Sequence, residues 1–299
     1  FQTVAEELDS LLIQEGYDQG ALGSRYRALA QTALADSSWL ASREYLKDTR
    51  AQLRQQRSMV SGLVSDFPFQ KLNLRKYPQQ LSPYLPSMSY SPATLDQSEE
   101  ARLIINVNKL ADMPTWQISS LQYAQAWPGT HLAHSMSAAN PEINTFQQII
   151  SFPAFRAGWE SYSDYLIEEE LLLLESQTLE HIGFLQYRLS HIAQAIIDAS
   201  LQNGQMDIQA AQTFLRIEAG LNEAQIQSMI NEVLARPGAA FSRLAGRKKI
   251  LELRQRAKLA LKGRFYVQEF HDILLKNGEV PLSVLEKLTE TWIQQKLAS

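Results

Sequence analysis

Apolar residues recur every three to four positions along most of this chain. Val4, Leu8, Leu11 and Leu12 share one face and predict a first helix that Gly16 ends, and a second helix runs from Ser24 to Ala35. A longer one, from about 40 to 64, turns Leu46, Leu53, Val60 and Leu63 inward and Arg50, Arg54 and Arg57 outward. Between about 67 and 116 the texture changes. Pro68, Pro78, Pro83, Pro86 and Pro92 interrupt any helix, while Lys71-Leu-Asn-Leu-Arg-Lys76 and Arg102-Leu-Ile-Ile-Asn-Val-Asn108 read as two short strands. A small sheet or hairpin with long loops is expected near residues 70–108. Helical spacing then returns over about 117–126, 144–150, 155–174, 177–202, 208–218, 222–234, 239–261, 267–276 and 281–297. Asp207 and Asn222 are expected N-caps, Gly278 a stop and Pro281 a helix-start proline. With no repeat, low-complexity tract or linker, the pattern predicts a mainly α single compact unit over 1–299. It comprises a helical segment 1–66, a strand-and-loop insertion 67–116 and a helical segment 117–299.

The 299 residues are 45% hydrophobic and 20% charged, which excludes global disorder and allows about 75% of the unfolded surface to be buried. A net charge of −4 gives no general case for nucleic acid or an anionic membrane. Zero cysteine excludes disulfides, thiolate metal sites and thiol catalysis, leaving His131, His134, His181, His191, His271 and carboxylates as metal ligands. The longest aliphatic block, Leu171 to Leu174, is far short of a transmembrane span. Phe1 is preceded by neither Met nor a basic leader, so a removed upstream region is expected.

Three stretches could carry chemistry. In Tyr123-Ala-Gln-Ala-Trp-Pro-Gly-Thr-His-Leu-Ala-His134 a Pro-Gly pair bends the chain between helical segments, and His131 and His134 are spaced to share a helix face. A metal there would need a third ligand such as Glu160 or Asp164; the competing reading makes both histidines capping, packing or surface residues. In Phe155-Arg-Ala-Gly-Trp-Glu-Ser-Tyr-Ser-Asp164, Glu160 and Asp164 at i,i+4 form a possible carboxylate pair; alternatively Trp159, Tyr162 and Leu166 pack inward and the acids are solvated. The basic stretch Arg243 to Arg264 keeps an apolar stripe and reads as a surface helix with a solvated cationic face, or as a site for an anionic partner. HExxH, a P-loop, a G-x-G-x-x-G fingerprint and a nucleophilic triad do not occur.

The same strings resemble bacterial domain-of-unknown-function family 885, zincin-like proteins related to metallopeptidases. Ala124-Gln-Ala-Trp-Pro-Gly-Thr-His-Leu132 is similar to the family's H-E-A-x-P-G-H-H-L, and Ala157-Gly-Trp-Glu-Ser-Tyr-Ser-Asp164 to its E-G-W-A-x-Y-A-E. Ile196-Ile-Asp-Ala-Ser-Leu-Gln202 resembles R-L-V-V-D-T-G-L-H, and Pro237 to Gly246 resembles P-G-Q-A-L-S-Y-x-x-G. The resemblance runs along the whole chain but covers only the C-terminal half of a typical member.

It implies a multi-helix zincin-like domain whose family uses zinc. The departures imply a degenerate site. Ala124 and Gln125 stand for a zinc-binding His and the general-base Glu, Thr130 for a His, and Ala157 for the third-ligand Glu. Gln194, Gln202, Ala239 and Arg243 replace Arg, His, Gln and a Tyr able to stabilise an oxyanion. Alanine has no donor atom and an amide is no base near neutral pH, so no catalytic residue and no metal are expected. What is retained is a cleft remnant of His131, Trp127, Gly129, Gly158, Trp159, Asp164 and Asp198. The resemblance thus implies a pseudoenzyme that binds a peptide or protein in the old cleft or has a structural role. Alternatives are a metal-dependent hydrolase rearranged around His131, His134 and Asp164, or the accessory half of a larger active enzyme. It also implies a periplasmic or outer-surface bacterial protein, anchored by lipid through a missing N-terminus, with a missing N-terminal half packing against this one.

Overall fold

The structure, a computed structural model, describes all residues except 35, 69, 97, 172, 173, 175, 176 and 299; of 37 and 170 only the backbone is described. Helices α1 (Gln2–Gln14), α2 (Leu22–Gln31), α3 (Ser37–Ala41) and α4 (Arg43–Val60) precede the sheet region. The second helix therefore stops short of the expected end at Ala35, which lies outside the described residues. The expected long helix begins only at Arg43, where Ser42 caps it by accepting from the Tyr45 N–H.

The sheet has three strands, β1 (Leu72–Lys76), β2 (Met88–Ser91) and β3 (Ala101–Ile105), in the order β1-β3-β2. β1 and β3 are the two strands expected, but they pair in parallel, Leu72 opposite Ala101 and Lys76 opposite Ile105, so they do not form a hairpin. β2 pairs antiparallel with β3, Met88 opposite Ile105. Ala101, Leu103 and Ile105 alternate into the core with Leu74, as a sheet with one buried face requires.

Helices then run to the end: α5 (Val107–Leu110), α6 (Thr115–Gln125), α7 (Thr130–Ala138), α8 (Thr145–Ile149), α9 (Pro153–Tyr165), α10 (Thr178–Gln202), α11 (Ile208–Ile217), α12 (Glu223–Ala235), α13 (Ala239–Leu261), α14 (Val267–Leu275) and α15 (Leu282–Ala298). Asp207 and Asn222 cap α11 and α12 as expected, and Gly278 adopts φ +70°. The helix expected over 155–174 begins at Pro153 and continues past Tyr165 as a π turn, Leu166–Glu170; residues 172 and 173 of its expected end lie outside the described residues.

Helix α10 joins three apolar clusters, which is why its buried residues occur on all sides rather than along one stripe. Phe184 enters the main core with Trp159 and Leu132, Leu185 and Leu189 meet Leu8, Leu12 and Leu29, and Ile197 meets Leu215, Ile226 and Ile230. Each such buried side chain stabilises the fold by about 1.5–3 kcal/mol. The architecture is mainly α with a small sheet, and among the described residues no helix is long and apolar enough to cross a membrane.

Candidate functional site

The bend between α6 and α7 is built on a close backbone contact. A Cβ at Gly129 would lie 1.9 Å from the Ala124 carbonyl oxygen, so only glycine allows the chain to turn there. The peptide between Trp127 and Pro128 is cis. Trp159 on α9 fixes the turn by donating its indole N–H to the carbonyls of Pro128 and Gly129 at 3.0 and 3.1 Å. Within it the Thr130 hydroxyl donates to the Ala124 carbonyl at 3.2 Å, and Ala124 is wholly buried. Gln125 and Ala157 are half-buried.

Two glycines bring α9 and α13 into backbone contact. A Cβ on Gly158 would lie 2.5 Å from the Gly246 Cα, and one on Gly246 would lie 1.8 Å from the Ala154 carbonyl oxygen. This approach sets Glu160 and Asp164 of α9 against the arginines of α13. Arg243 Nη2 lies 2.9 Å from Glu160 Oε1, and the Tyr187 hydroxyl of α10 donates to the same oxygen at 2.9 Å. Burial opposes the charge on Arg243, but Glu160, Tyr187 and Asp164 more than offset it and hold the guanidinium above its usual range.

Asp164 is 2% exposed. Burial pushes its carboxyl up to about 6 against the pull of Arg188, Arg247 and Arg243. Among the described residues, Asp164 Oδ1 and Arg243 Nη1 have no hydrogen-bond partner. The same network extends along α10: His191 accepts no cationic role, because burial and Arg243 hold it well below its usual value, and its Nδ1 lies 2.9 Å from the Tyr187 carbonyl.

These contacts overturn two expectations. Glu160 and Asp164 are buried rather than solvated, and the basic helix α13 is not a purely solvated face, since Arg243 reaches Glu160 and Arg254 is 3% exposed with a 2.7 Å hydrogen bond to the Tyr165 hydroxyl. Trp159, Tyr162 and Leu166 pack inward as expected.

His131 faces the sheet. Its Nδ1 lies 3.0 Å from the Tyr90 hydroxyl and its Nε2 3.3 Å from the Gln70 carbonyl, which can only accept. The neutral ring therefore donates from Nε2 and accepts from Tyr90 at Nδ1. Burial pushes His131 down to about 3, and burial followed by Arg156 pushes His134, stacked on Tyr90 at 5.3 Å, down to about 4. Trp127 packs edge-on against His131 at 4.2 Å. Asp198 accepts from the N–H groups of Gly238 and Ala240 and so caps α13, while Gln194 donates to Glu232. Gln202 and Ala239 lie on the surface.

The arrangement does not fit a zinc ion at the positions the family motif marks. Ala124 and Ala157 supply no donor, and Glu160 is engaged by Arg243 and Tyr187. The set His131, His134 and Asp164 is not brought together either: among the described residues, the one histidine–carboxylate group close enough to share an ion is Glu7, Glu168 and His181. There Glu168 accepts from Arg188 at 2.6 Å and lies 3.0 Å from His181 Nε2. Tyr187, Arg188 and Glu168 belong to the polar interior but are not singled out by the sequence, and His191, marked there only among the possible metal ligands, joins them. Polar side chains at i,i+1 and i,i+4 within the apolar run of α10 are the signal that marks three of them.

The family model described as "Bacterial protein of unknown function (DUF885)" matches residues 1–288. The crystal structure of a "putative lipoprotein" from Colwellia psychrerythraea superposes with a TM-score of 0.91 at 26% identity, over 98% of this chain and 50% of that one. A "putative lipoprotein of unknown function" from Shewanella oneidensis gives 0.80 at 17% identity, over 97% and 54%, and shows the shared fold alone. The chain spans about half the length of these solved structures. No curated protein matches it significantly.

Proposed function

Because this chain belongs to the DUF885 family of bacterial proteins, we propose that it is a non-catalytic member with a zincin-like ancestry, a scaffold that holds a peptide or protein in the cleft beside the α6–α7 bend. The observation that carries this reading is the ion pair of Arg243 with Glu160. A buried guanidinium provides the positive charge that a carboxylate in a metal site would otherwise take from the ion. The Pro-Gly bend, the Trp159 clamp and the α9–α13 glycine contact hold α7, α9 and α13 in place without ligands or base.

A groove of about 610 Å³ lies between the strand-end loop 91–96 and helices α7 and α8, with His134, Ile149 and Arg156 on its walls, and our reading takes it as the place where the peptide is held. β2, last in the strand order, has an edge unpaired within the sheet that an extended peptide can join. Our reading further takes the protein as exported and lipid-anchored, supported by its match to solved proteins described as putative lipoproteins. The test is to compare this chain with the complete gene product for hydrolysis of a mixed peptide library. The reading expects no hydrolysis by either; hydrolysis by the complete protein alone would make this chain an accessory half, and hydrolysis by both would make it an enzyme.

A further inference from the structure

A second groove lies away from the former ligand positions, between α3, α4, α6 and α10, with a volume of about 270 Å³. None of Ala124, Thr130, Ala157 or Arg243 lines it. Its polar wall is rich in amides: among the described residues Gln52, Gln55, Gln56, Gln122 and Gln177 line it with the hydroxyls of Thr115 and Ser119, one carboxylate, Glu180, and no lysine, arginine or histidine. Its apolar wall is aromatic, with Trp39, Tyr45, Trp116 and Tyr123.

Trp39 is 38% exposed and packs edge-on against Tyr45 at 4.7 Å, which leaves part of the indole open at the mouth. Deeper in, Trp116 and Gln56 are each 5% exposed. Among the described residues, the Trp116 indole N–H and Gln56 Oε1 have no hydrogen-bond partner. Gln56 is oriented by a weak hydrogen bond from its Nε2 to Gln122 Oε1 at 3.5 Å. A buried donor and a buried acceptor without partners are costly in a folded protein unless something else meets them.

We propose that this groove binds an uncharged carbohydrate of one or two rings. An amide offers a donor and an acceptor on one short side chain, as a sugar hydroxyl does on one atom, and five amides with one carboxylate suit a ligand without net charge. The part-exposed indole of Trp39 provides the apolar surface on which the C–H face of a pyranose ring packs, with the exposed amides of Gln52 and Gln55 beside it to meet the hydroxyls. The volume lies just under the roughly 300–1,000 Å³ of drug-sized sites, which fits a small saccharide. An extended peptide fits less well. Most of the lining lies on helices and, among the described residues, no strand edge borders it, so strand addition is closed to it. This inference stands apart from the pseudoenzyme reading and survives or fails without it.

The experiment is calorimetric titration of the intact chain with maltose, lactose, cellobiose and N,N′-diacetylchitobiose, with tri-alanine as the peptide probe. At least one sugar is expected to saturate with a Kd between about 10 μM and 10 mM. Trp39→Ala, and separately the pair Gln52→Ala with Gln55→Ala, should weaken that binding about tenfold or more. Gln52 and Gln55 are exposed, and retained helical circular dichroism verifies folding in every variant. Absence of saturation by all four sugars, binding unchanged in both variants, or saturation by tri-alanine alone would each overturn the proposal.

Discussion

Arg243 and Glu160 form an ion pair with side chains only 17% and 10% exposed, and the Tyr187 hydroxyl completes the coordination of the shared carboxylate oxygen at 2.9 Å. The pair joins α13 to α9 beside the backbone contact of Gly158 with Gly246.

Removing one member of this pair leaves the other charge buried. Arg243→Met should destabilise the protein by about 3–5 kcal/mol in urea unfolding. Adding Glu160→Gln to that variant should recover a large part of the loss, because the remaining amide carries no charge. A loss in the double variant equal to the sum of the losses in Arg243→Met and Glu160→Gln alone would show that the two side chains are not coupled.

Asp164 gives a pH dependence of defined sign. Its folded value of about 6 is above the unfolded 3.8, so the folded state keeps the proton longer and stability falls as pH rises from about 4 to 6. Compared with wild type, Asp164→Asn should therefore gain stability across that window, by up to about 3 kcal/mol. His131 and His134 act in the opposite sense: held at about 3 and 4 against an unfolded 6.5, they add stability that is present above 6.5 and lost as pH falls through their folded values. Urea midpoints of wild type and Asp164→Asn between pH 4 and 8 separate the two contributions.

Gly246→Ala places a methyl group 1.8 Å from a backbone oxygen, which cannot rotate away. The helices must separate, and the expected loss is at the upper end of overpacking costs, about 3 kcal/mol or more. A thermal midpoint close to that of wild type would contradict the described contact.

Asp198→Ala removes the cap of α13 and the negative charge at its N-terminus, where Gly238 and Ala240 donate to it. The expected cost is about 1–2 kcal/mol, with Asp198→Asn milder because its amide oxygen still accepts. Chemical denaturation of the two variants tests the difference.

The helical architecture was legible because α4, α10, α12 and α13 carry apolar residues at helical spacing, with Asn222 and Asp207 at their expected caps. The hydrophobic pattern did not show β2: Met88-Ser-Tyr-Ser91 is four residues between prolines, and its strand is completed by pairing with β3. The orientation of His131 was lost with it, since Tyr90 on β2 fixes that ring. Spacing marked Glu160 and Asp164 as a pair, but their partners lie on α10 and α13, and only the Gly158–Gly246 contact shows that those basic residues face inward. Local periodicity carries no information about such distant pairing.

The most direct test of the central claim is elemental analysis of the purified chain after exposure to excess zinc and exhaustive dialysis, followed by a peptide-hydrolysis assay. With Arg243 on Glu160 and alanine at positions 124 and 157, the predicted result is far less than one zinc per chain and no chelator-sensitive hydrolysis. Retention of about one zinc per chain, with hydrolysis abolished by a chelator and restored by zinc, would contradict it.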